Sequence, residues 1–111
     1  MSAPTTSTTL LTYIVNASLA ASVTGSQVAK ELQTGIAIQA VITGGSSPTG
    51  EFKVQCSNDA TTWTDVEASD EDITDNGSLM WNIVGAYYRF WRLVYTRTSG
   101  TGTLNVSYHM L

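Results

Sequence analysis

The chain of 111 residues is poor in charge, cysteine and histidine, and each shortage excludes a class of function. Charged residues make up 13% of it, about half the usual share of roughly 25%. Five Lys and Arg against nine Asp and Glu leave a net charge of −4, too few cations to cluster on phosphates, which argues against nucleic acid as a partner. The single cysteine, Cys56, excludes an intrachain disulfide, and no Cys/His zinc pattern is present. His109, the only histidine, falls on the polar side of its predicted strand and reads as a solvated side chain rather than a catalytic base, so no enzyme and no cofactor are expected. Long apolar runs are missing too. Residues 10–15 are too short for a membrane span or a signal core and residues 1–9 lack a basic region, so the expectation is synthesis and assembly inside a cell, away from membranes.

What replaces charge is Thr, Ser, Gly, Asn and Gln, a polarity that suits pleated surfaces and turns better than helices. The length fits one domain with a modest core. Residues 1–9 read as a polar arm and residues 10–111 as a single domain. Within residues 35–43, Ile36, Ile38, Ala40 and Ile42 alternate with Ala37, Gln39, Val41 and Thr43, the two-residue period of a strand. Phe52, Val54 and Cys56 then alternate with Glu51, Lys53, Gln55 and Ser57, and residues 44–50 (GGSSPTG) read as the loop between the two strands. Asn58-Asp59 marks a turn toward a strand at residues 63–66, and Asp75-Asn76-Gly77 a turn toward Leu79, Trp81 and Ile83. The aromatic run 87–97 predicts a central strand. Residues 99–102 (SGTG) predict a turn into a last strand, with Leu104, Val106, Tyr108 and Met110 inward. Seven to eight short strands with turns between them imply an all-β fold, a two-layer antiparallel β-sandwich of jelly-roll or Ig-like style.

Four groups of residues are candidates for chemistry. Cys56 keeps step with Phe52 and Val54, which reads as a buried apolar residue rather than a reactive thiol. The acidic stretch 65–75 is first of all a solvated loop, and Asp70, Asp72 and Asp75 are its weak candidates for a calcium site. Trp81 is in step with a core face, whereas Trp63, Trp91 and Tyr95 are candidates for a sugar-stacking platform. Arg89 and Arg92, set among aromatics, read as structural cations.

The segments GEFKVQCSND (50–59), Trp63-Thr64-Asp65 and YYRFWRLVYTRTSGTGTL (87–104) resemble a family of small virion β-sandwiches of tailed bacteriophages, over about half of the chain. Similar motifs recur in discoidin-like and carbohydrate-binding sandwiches. With its length and polar arm the chain looks most like a capsid decoration, or staple, protein of a short-tailed phage. That resemblance implies a protein on the outer capsid surface that bridges major capsid subunits, acts as a homo-oligomer with a dimer favoured, and uses its arm (Pro4, Thr5, Thr6, Thr8, Leu10) for contact. The alternative is a glycan-binding module on Trp63, Trp91 and Tyr95.

Overall fold

The computed structural model describes residues 11–111, so the arm and its five candidate contacts, Pro4, Thr5, Thr6, Thr8 and Leu10, lie outside the described residues. The described chain is all β, with eight strands in antiparallel pairing: β1 (Leu11–Ser18), β2 (Val23–Thr24), β3 (Val28–Ala29), β4 (Ile36–Ser57), β5 (Thr64–Asp65), β6 (Glu71–Ile73), β7 (Gly77–Ile83) and β8 (Phe90–Met110). Hydrogen bonding joins all eight in one continuous sheet.

The reason is that residues 44–50 and 99–102 are not loops. Both lie inside strands, so that β4 runs for 22 residues and β8 for 21, paired from Ile36↔Met110 to Ser57↔Phe90. A straight strand of that length would span about 70 Å, longer than the 49 Å of the molecule's longest axis, so the ribbon has to bend. It bends where the register slips, between Thr43 and Gly50. Extra residues in a ladder disrupt the pairing locally and sharpen its twist. Gly100 (φ +82°) takes a left-handed backbone there, and a Cβ on it would overlap the Ser47 carbonyl. Pro48 fills the inside of the bend. Glycine and proline thus read correctly as backbone punctuation but wrongly as strand ends.

The bend divides the sheet into two leaves. The first is β1, residues 103–110 of β8, residues 36–43 of β4, and β7; the second is β2 and β3, residues 90–97 of β8, residues 50–57 of β4, and β5 and β6. Their inner faces meet. Trp91 of the second leaf packs on Tyr108 and Tyr13 of the first, with ring centroids 5.4 and 5.1 Å apart, and Phe52 packs on Trp81 at 5.9 Å. The predicted inward residues Ile36, Ile38, Ala40, Ile42, Phe52, Val54, Trp81, Leu104 and Val106 are all buried, with Tyr108 and Met110 packed against them. A ring as large as that of Trp91 withdraws about 150–250 Å² from water, a gross gain on the order of 4–6 kcal/mol.

Candidate interaction surface

The residues that sequence reasoning offered for chemistry are dispersed. Trp91 and Tyr95, at 0% and 1% exposure, belong to the core and cannot stack on a sugar. Both keep step with Leu93 along β8, a period-two signal obscured by the unbroken apolar and aromatic run. Trp63 is half-buried, and its ring is covered by the Arg92 guanidinium 4.2 Å from the centroid, while Arg92 Nε donates to Gln55 Oε1 at 2.9 Å. The three-residue platform therefore does not form.

Cys56 is only partly buried; the buried residue at this end of β4 is Ser57. The alternation breaks because the Ser57 hydroxyl is drawn into the following turn, accepting from the Asp59 and Ala60 amides and donating to Asp59 Oδ1. Desolvation first, and the nearby Asp65 charge second, push the Cys56 thiol up, away from reactivity. Asp59 is held down to about 2 by the backbone N–H groups of Thr62 and Thr61 and by the Ser57 hydroxyl.

Asp70, Asp72 and Asp75 do not converge. Among the described residues no three His, Cys, Asp or Glu side chains lie close enough to hold a metal ion. Asp72 is placed opposite Glu51 in the ladder, and Asp75 Oδ1 accepts from the Asn76 amide. His109 is exposed, in a row with Ala37 and Asn82 across three strands. Tyr88 is half-buried, its hydroxyl has no hydrogen-bond partner among the described residues, and burial pushes it up to about 12.

A different pattern emerges from the topology. None of the fourteen Lys, Arg, Asp and Glu residues lies in the strands of the first leaf. Its outer face is built of rows that cross the strands, Thr12, Ser107, Gln39 and Met80 in one, Asn105, Val41 and Ser78 in the next. A shallow groove of about 340 Å³ runs over this face between Thr12, Val15, Gln39, Val41 and Asn105. The second leaf shows Glu51, Lys53, Asp65, Asp72 and Arg92 on its corresponding positions, with Lys53 and Asp65 paired at 3.4 Å.

Apolar exposure follows the same division. Leu32, Val84, Tyr87 and Leu111, between 77% and 95% exposed, lie at one end of the first leaf. Backbone bonds tie their segments together there: the Thr34 and Gly35 amides donate to the Leu111 carbonyl, and the Ala86 amide donates to the Thr34 carbonyl. This end was missed because its residues are scattered through the sequence. The signal that finds it is the set of charge-free intervals 32–50, 76–88 and 98–111.

No family model matches the chain. No curated protein matches it either. Among solved structures it is similar to the crystal structure of SPBc2 prophage-derived protein YomS, with a TM-score of 0.59 over 91% of this chain and 92% of that one, at 12% identity. The two chains share a fold along nearly their whole lengths.

Proposed function

We propose that the chain is a structural virion protein of a bacteriophage that binds the outside of an assembled capsid and stabilises it by bridging major capsid subunits. The observation that carries this reading is the segregation of charge, which leaves one leaf neutral and ends it in Leu32, Val84, Tyr87 and Leu111. The centres of protein interfaces are depleted in charge because an ion stripped of water is costly unless paired. A neutral, weakly apolar surface repeated over a lattice stabilises it through many modest contacts, without a deep pocket. The fold held in common with a prophage-derived protein, and the sequence resemblance to virion sandwiches, support the phage context.

The test is co-sedimentation of the purified chain with undecorated shells of the phage that encodes it, followed by heating. Binding and a raised shell disruption temperature are expected. The Leu32→Glu, Tyr87→Glu double variant, altered only at exposed positions, is expected to stay folded and lose binding. Failure of the unaltered protein to bind or protect the shells overturns the proposal.

A further inference from the structure

A sheet edge presents unpaired N–H and C=O groups, and proteins blunt such edges with bulges, charges, proline or very short strands. Five of the outer strands here are blunted in this way. β1 carries two register shifts and a left-handed Asn16 (φ +52°). β2 and β3 have two residues each, β5 two with Asp65 among them, and β6 three with Glu71 and Asp72 among them.

β7 has none of these devices. Its seven residues, GSLMWNI, pair with β4 in seven consecutive steps without a slip, from Ile42↔Gly77 to Ile36↔Ile83, and contain neither charge nor proline. β4 is its only strand partner, and no other backbone hydrogen bond reaches its outer edge among the described residues. Met80 at its midpoint is 55% exposed and Val84, just past its end, 88%.

We infer that β7 is a self-association edge, which pairs antiparallel with β7 of a second copy about a two-fold axis near Met80. The occupant follows from charge and closure. A chain of net charge −4 repels its copies wherever acidic surfaces face each other, and β7 belongs to the leaf whose strands contain no Lys, Arg, Asp or Glu. Antiparallel pairing of a strand with itself is isologous, so the same residues serve both sides. The two Met80 side chains then approach across the axis on the outer face, at the spacing of a cross-strand pair. The bulged β1 ends the enlarged sheet on either side, so that association stops at two copies instead of growing into a fibre. Such a dimer carries two apolar ends, a geometry suited to bridging.

Sedimentation velocity on the full chain over a range of concentrations tests this, together with hydrogen exchange. A concentration-dependent dimer is expected, with amides of residues 77–83 becoming slower to exchange as it forms. Met80→Lys, which sets like charges across the axis at a solvent-facing position, is expected to weaken the dimer by about tenfold or more while circular dichroism stays unchanged. Thr12→Lys on the opposite edge is expected to leave it intact. A chain that stays monomeric at every concentration overturns the inference. A dimer that survives Met80→Lys and protects amides outside β7 does so equally. Shell binding is a separate readout, so loss of the dimer and loss of capsid attachment are told apart.

Discussion

The two leaves of the sheet are halves of the same two long strands, yet they meet water differently. Inside, they contribute alike to one core, Phe52, Leu93 and Trp91 from one leaf and Ile38, Trp81 and Val106 from the other. Outside, one displays Glu51, Lys53, Asp65, Asp72 and Arg92, and the other displays Thr12, Gln39, Val41, Asn105 and Ser107. The inner faces are constrained by packing, so they converge on the same chemistry. The outer faces are free to differ, and their difference separates a surface that stays hydrated from one that can be covered.

Removing what the two leaves share has the largest effect. Trp91→Ala is expected to cost about 3–5 kcal/mol in urea unfolding, with one cooperative transition still observed. Two separate transitions would mean that the leaves are independent units, against their interlocked rings. Next in size is the bend between them. Gly100→Ala combines left-handed strain with overlap on the Ser47 carbonyl and is expected to cost about 2 kcal/mol or more, read as a lowered melting temperature. Gly44→Ala, also left-handed but facing open space, is expected to cost about half as much.

Acid has the smallest effect. The folded pKa of Asp59, about 2, lies below its ordinary value of 3.8, so the stability it lends to the turn is complete above that value and is lost as pH falls through 2. Amide chemical shifts of the turn after β4 are expected to move in this window and those of β1 and β7 to hold still, because these strands contain no titratable carboxylate. Asp59→Asn is expected to flatten the response.

Much of the fold was legible in the sequence. The alternation of Ile36, Ile38, Ala40 and Ile42, and that of Leu104 and Val106, identified strands and their inner faces, because the pleat turns period two into burial. Strand continuity was not legible. GGSSPTG and SGTG have the composition of turns, and only their mutual pairing shows that they form a bulged corner of two unbroken strands. The candidate sites fared worse for the same reason: whether Trp63 is free to stack depends on Arg92, 29 positions away in sequence.

The shortages of charge, cysteine and histidine belong to the sequence by itself. With one cysteine no intrachain disulfide can form, and with one cysteine and one histidine no Cys/His zinc pattern is present, whatever the fold. Where the few charges go was decided by tertiary structure alone. Folding the long ribbon at Gly100 and Pro48 gathers four charge-free strand segments, far apart in the chain, on one leaf and places β7 at its edge among the described residues. Composition sets how much charge there is, but adjacency across a sheet is a property of pairing, and pairing is non-local.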